Sequence, residues 1–148
     1  MRTRVQGFPF ASEFASSSLL IVCVNDGDIV ALCGIRGLLN TLVLYVREGY
    51  RSRGIGLQIL SQSVEAARKR KLDFVTLSVS SDNTIAFRLY KRVGFSEVLS
   101  LSRSSQILMM LPLTCAGELM FQVFRFARLA LPSMLLFHIH RWLYKRTL

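Results

Sequence analysis

Arg51-Ser52-Arg53-Gly54-Ile55-Gly56 sets two arginines among two glycines directly ahead of an amphipathic run. Glycine lets the backbone approach a ligand closely, and the free N–H groups opening a helix carry the positive end of its dipole. With Arg51 and Arg53 adding charge, the expected chemistry is a cradle for a diphosphate. No Gly-Lys-Ser/Thr follows, so this is not a Walker loop, and the GxGxxG dinucleotide fingerprint is also absent. Without a ligand, the same six residues make an ordinary glycine-containing turn with solvated arginines.

A second constellation follows in Asn83, Ala86 and Tyr90. On a helix these residues share one face within about 60°. A small residue between an amide and a phenol leaves room for something to lie against the helix. Their ordinary roles would be a first-turn cap for Asn83 and a half-buried core position for Tyr90.

The elements that must position these groups are legible around them. Two apolar runs, Ser18–Val24 and Ile29–Gly34, flank an Asp26-Gly27 turn and predict a hairpin. Register across that turn sets Cys23 opposite Val30. Leu39–Val46 is apolar on both faces, as a central strand would be. From Gly54, Leu57, Leu60, Val64 and Ala67 follow helical spacing, with Glu65 and Lys69 as an i,i+4 pair. Phe74–Val79 reads as a strand. Ser81 or Asp82 would cap a second helix that runs to Val93 and stops at Gly94. Phe95–Leu101 and Gln106–Leu111 close the domain as strands. The order β-β-β-α-β-α-β-β predicts an α+β fold with a mixed, largely antiparallel sheet flanked by helices.

Both constellations in this strand–helix order resemble the GNAT superfamily of acyl-CoA-dependent N-acetyltransferases. The likeness runs from about Leu19 to Leu113 and is strongest in VREGYRSRGIGLQIL (46–60) and LSVSSDNTIAFRLYKRVGF (77–95). Spacing from Arg51 to Asn83 and Tyr90 is similar to that of the ribosomal-protein alanine N-acetyltransferases. The resemblance implies acetyl-CoA as co-substrate and an amine acceptor, either a small molecule or a protein N-terminus. It implies that backbone groups of Leu44, Tyr45 and Val46 pair with the pantetheine arm. Arg51 and the amides of Ser52, Arg53, Gly54, Ile55, Gly56 and Leu57 would hold the pyrophosphate. Asn83 would hydrogen-bond the cofactor, and Tyr90 would protonate the departing thiolate. A strand amide near Leu44 or Val46 would polarise the thioester carbonyl.

Three departures from the family pattern bear on the acceptor. Ser78 occupies the place of a glutamate base in Leu77-Ser78-Val79, and Glu48, the nearby carboxylate, reads as a solvated loop charge. An α-amino group has a pKa near 8 against about 10.4 for lysine, so a chain without a base suits a low-pKa amine. Only a short segment, 1–17, precedes the first hairpin strand, where the family places a further strand and helices. A truncated start, a cleft completed by another subunit and a non-catalytic, GNAT-like binding module all fit that observation. Lastly, 114–148 is an addition to the 18–113 core. Glu118, Gln122, Arg125 and Arg128 line one side of a helix there, opposite Leu119, Phe121, Val123, Phe124, Ala127 and Leu131. Pro132 interrupts, and Ser133 would cap a second helix. That apolar face fits packing on the domain, peripheral membrane contact, or a homodimer.

Composition limits the alternatives. Hydrophobic residues are 51% and charged residues 19%, which excludes disorder. Net charge is +10, and residues 114–148 carry five basic groups against one acidic. That favours anionic partners, yet no interleaved aromatic–basic patch supports nucleic-acid binding. Cys23, Cys33 and Cys115 form no CxxC pair, and the only histidines are His138 and His140, so no metal site is expected. An odd cysteine count and the lack of a secretory signal pattern fit a cytoplasmic setting. Arg2, Arg4 and the early serines match an organellar presequence only in part.

Overall fold

The computed structural model describes residue 14 and residues 16–101 and 105–130. Among these residues six strands form one sheet: β1 (Leu19–Asn25), β2 (Asp28–Arg36), β3 (Thr41–Val46), β4 (Phe74–Ser80), β5 (Ser96–Leu101) and β6 (Gln106–Pro112). Their order is β1-β2-β3-β4-β6-β5, antiparallel except for the β3–β4 junction. Asp26 and Gly27, with φ of 50° and 84°, close the first hairpin as a two-residue turn with Asn25 opposite Asp28. A bulge between Cys23 and Val24 moves Cys23 to face Ala31, not Val30 as a regular ladder would have it. Cys33 lies opposite Ile21, and all three cysteines are free.

One face of the sheet carries α1 (Ile55–Lys69) and α2 (Thr84–Val93). α1 buries Ile59, Leu60, Val64 and Ala67 against Ala31, Cys33 and Ile35 of β2 and Val75 and Leu77 of β4. Burying a Leu or Ile side chain fully stabilises the fold by about 1.5–3 kcal/mol, far more than the exposed Glu65–Lys69 pair at 3.8 Å. The start of α2 falls later than Ser81 or Asp82 would set it. Ser80 to Asn83 forms a turn, closed by the Asn83 amide donating to the Ser80 carbonyl at 3.0 Å. Asn83 is therefore the cap, its Oδ1 accepting from the Ala86 amide at 3.1 Å. Gly94, at φ 108°, ends the helix.

The opposite face is covered over β4–β6–β5 by α3 (Cys115–Ala130), whose Phe121 packs with Val98, Leu99, Leu108 and Met110. Asp73 anchors its start. The Leu113 and Thr114 amides donate to the Asp73 carbonyl, and the Thr114 hydroxyl donates to the Asp73 carboxylate at 2.6 Å. Thr114 in turn caps the helix, its Oγ1 accepting from the Gly117 amide at 3.2 Å. A Cβ at Gly117 would run into the Asp73 carbonyl. Gly117→Ala is expected to lower stability by about 2 kcal/mol, measured by urea unfolding, because backbone must move to admit the methyl. An unchanged midpoint would show that the junction yields freely. Near the other end of the chain Phe14 is fully buried beside Gly34. The expected second helix after Ser133 lies outside the described residues.

Candidate active site

β3 and β4 run side by side but pair at one position only, Thr41 opposite Thr76. That end is clasped. The Thr76 amide donates to the Asn40 carbonyl at 3.2 Å, the Asn40 side-chain amide to the Phe74 carbonyl at 2.9 Å, and the Thr76 hydroxyl to the Leu39 carbonyl at 2.8 Å. Beyond the clasp no further β3–β4 register pair exists among the described residues, so the sheet forks toward Val46 and Ser80. Sequence reading missed the clasp. Its one signal was Asn40, which takes a left-handed φ of 47°.

Ladder alternation sets which β3 groups face the fork. The Arg47 amide donates to the Val30 carbonyl at 2.9 Å, so Tyr45 and Val43 also turn their backbone groups toward β2. Leu44 and Val46 therefore turn theirs toward the open edge. Tyr45 keeps its amide and carbonyl on the β2 side. At the tip of the fork Arg51 Nε donates to the Val46 carbonyl at 3.1 Å.

From that tip the chain passes through a short 3₁₀ turn, Glu48–Tyr50, into an exposed loop, 51–54. Ser52 and Gly54 adopt left-handed φ of 60° and 81°. Gly54 precedes α1 with no side-chain cap, and the first amide to find a helical acceptor is Gln58, which donates to Gly54. Among the described residues no acceptor is met by the amides of Ser52, Arg53, Gly54, Ile55, Gly56 and Leu57. Six successive donors at a helix N-terminus, in a loop with two arginines, suit a multiply charged anion. Arg53 stacks over the Tyr50 ring at 5.5 Å, which holds its guanidinium beside the loop. Around Gly54 there is open space, and a Cβ added at Gly56 would stand in van der Waals contact with Leu89 of α2 and Val46 of β3. The loop, the fork tip and α2 thus converge.

Tyr90 lies on α2, 8% exposed, in the same core cluster as Cys33 and Val79, against which Leu44 and Val46 also pack. Phe95 holds its ring edge-on at 5.9 Å. No hydrogen bond engages its hydroxyl among the described residues. No fully buried side-chain oxygen or nitrogen there lacks a partner, so the hydroxyl retains an open side. Burial pushes the phenol up to about 12, with the nearby Cys33 adding to the effect. Cys33 is itself pushed up to about 12 by burial, opposed by a hydrogen bond with Ser63. Asn83, exposed at the head of the helix, has its Oδ1 engaged in capping and its amide nitrogen available as a donor. Ser78 is exposed on β4 and donates to Gln106 Oε1 at 3.0 Å, and Glu48 is exposed in its turn.

The two buried acids make stability fall at alkaline pH. The unfolded chain releases their protons near 9 for Cys33 and 10 for Tyr90, while the folded chain keeps both to about 12. Their stabilisation is complete below pH 9 and is lost as pH rises through 9 to 12, by about 1.4 kcal/mol per unit and group. Unfolding midpoints between pH 8 and 11 should show this slope. Cys33→Ala should flatten it between 9 and 10, and an unaltered slope would contradict the assignment.

The profile of the Acetyltransferase (GNAT) family matches residues 4–95. L-methionine sulfoximine/L-methionine sulfone acetyltransferases of Pseudomonas paraeruginosa and Pseudomonas aeruginosa are 30% identical over 90 residues. That match covers 61% of this chain and 52% of theirs, so the chain spans about half the length of these curated relatives. Among solved structures, the Escherichia coli ribosomal-protein-S18-alanine N-acetyltransferase is 25% identical with a TM-score of 0.59, covering 76% of this chain and 83% of that one. A family acetyltransferase from Elizabethkingia anophelis with acetyl-CoA bound matches at 16% identity and a TM-score of 0.59, over 68% and 80% of the two chains.

Proposed function

From the premise that this chain belongs to the GNAT family of acetyltransferases, we propose that it transfers the acetyl group of acetyl-CoA to a primary amine. The observation that carries this reading is the row of six amides, Ser52 to Leu57, that meet no acceptor among the described residues, at the tip of a forked sheet. Acetyl-CoA is a substrate that fits these features. The amide row, with Arg51 and Arg53, takes its diphosphate, and Asn83 Nδ2 donates to it. The outward amides of Leu44 and Val46 take the extended arm, one of them donating to the thioester oxygen as negative charge develops there. The neutral amine attacks the thioester carbon; the C–N bond forms, the C–S bond breaks, and Tyr90 gives its proton to the leaving thiolate. The proton shed by the nitrogen is relayed through water or a backbone carbonyl to solvent, and the Tyr90 phenolate recovers a proton from solvent.

Ser78 narrows the acceptor. With a hydroxyl where a carboxylate base would stand, the enzyme depends on an amine with an appreciable neutral fraction near pH 7. A peptide or protein N-terminus, or a small α-amine, meets that condition; a lysine side chain does not. The Escherichia coli neighbour's name specifies a ribosomal-protein alanine, and the Pseudomonas relatives' name two small molecules, so both classes belong in the test. Thiol release should be at least about tenfold faster with a free N-terminal peptide than with its N-blocked, lysine-containing counterpart at pH 7. Faster lysine modification would overturn the acceptor assignment. The same Ser78 supports a second reading, a non-catalytic module that holds acyl-CoA or a protein partner. That reading predicts saturable acetyl-CoA binding with no thiol release across any amine panel. The core of either device is 18–113, and the reading places it in the cytoplasm.

A further inference from the structure

We propose that the outward face of α3 is a docking surface for an anionic lipid bilayer. α3 has three distinct sides. Phe121 and Phe124 face the sheet, while Glu118, Gln122 and Arg125 form a polar flank, with Gln122 donating to Glu118 at 2.9 Å. The third side carries Leu119, Met120, Val123 and Phe126, which lie within about 120° of one another. All four are exposed: Leu119 and Phe126 at 67%, Val123 at 53% and Met120 at 39%. A helix resting on a domain normally turns polar residues to water, so a continuous apolar stripe there marks a surface built for contact.

Charge selects the occupant. The chain carries +10 overall, and from residue 114 onward Arg125, Arg128, Arg141, Lys145 and Arg146 stand against Glu118 alone. A second copy would bring like charge against like, whereas an anionic bilayer is complementary to the same residues. The sequence beyond α3 adds Trp142 and Tyr144 beside Lys145 and Arg146, residue types that favour the headgroup level. No described helix is long and apolar enough to cross a membrane, so the contact lies on the surface. The inference does not depend on acetyl transfer.

The test is co-sedimentation of the full chain with vesicles of phosphatidylcholine alone and of phosphatidylcholine containing phosphatidylserine. The wild type should bind the phosphatidylserine vesicles at least about tenfold better than the neutral ones, and added salt should weaken that binding. Leu119→Gln/Val123→Gln/Phe126→Gln should reduce it about tenfold or more with the melting temperature unchanged, since all three side chains are exposed. Absence of binding to the phosphatidylserine vesicles, or equal binding by the triple variant, would overturn the proposal. So would a dimeric wild type made monomeric by the triple substitution, which would identify a second copy as the occupant. A melting temperature sharply lowered in the variant would do the same, by showing that this chain covers its own stripe.

Discussion

Tyr90→Phe is expected to lower kcat by about a hundredfold or more while changing acetyl-CoA affinity by less than about twofold. The substitution removes one oxygen from a ring that Phe95 and the core cluster already hold in place, so the fold and the cradle persist. What disappears is the proposed proton donor to the leaving thiolate. The pH profile gives a second readout. Burial pushes Tyr90 up to about 12, so the acid stays protonated throughout the neutral and mildly alkaline range. The rate should therefore climb as the attacking amine loses its proton, near pH 8 for an α-amine, and hold its plateau to about pH 10. A descending limb below pH 10, or a Phe variant of near-normal kcat, would assign the acid to another group.

The second large effect is expected at Gly54. Asp is among the residues that best tolerate a left-handed backbone, and open space surrounds this position, so Gly54→Asp should fold. Its carboxylate would sit at the head of α1, where negative charge favours the helix dipole. The same charge occupies the ground proposed for the diphosphate and competes for its amides. Acetyl-CoA affinity should fall at least about a hundredfold, or about 2.7 kcal/mol, with little change in melting temperature. Isothermal titration of the two proteins decides it. Comparable dissociation constants would mean that the anion, if bound, sits elsewhere.

Much of this arrangement was readable from the chain alone, because local chemistry dominates it. Asp26-Gly27 dictates its turn, Leu60 and its helical neighbours dictate a buried face, and Gly54 before an apolar period dictates a helix start. The parts that were not readable depend on contacts between distant segments. The bulge at Cys23 shifts register by one residue without any glycine or proline to announce it. Asn83 caps α2 in place of Ser81 or Asp82 because β4 runs on to Ser80 and the chain must then turn. The fork rests on Thr41 of β3, Thr76 of β4 and Asn40 of the turn before β3, and two threonines in apolar runs give no hint of a clasp. Nor does a sequence tell which amides of β3 face outward; that followed from one hydrogen bond, Arg47 to Val30.

The central claim is that the main chain at the head of α1 is a diphosphate receptor. Nitrogen–proton correlation spectra recorded as coenzyme A is added observe those donors one by one. The amide signals of residues 52–57 should move together and downfield, saturating at the stoichiometry found by titration, as each proton acquires an acceptor. Saturation of the protein with these six signals unmoved, and others displaced in their stead, would contradict the account.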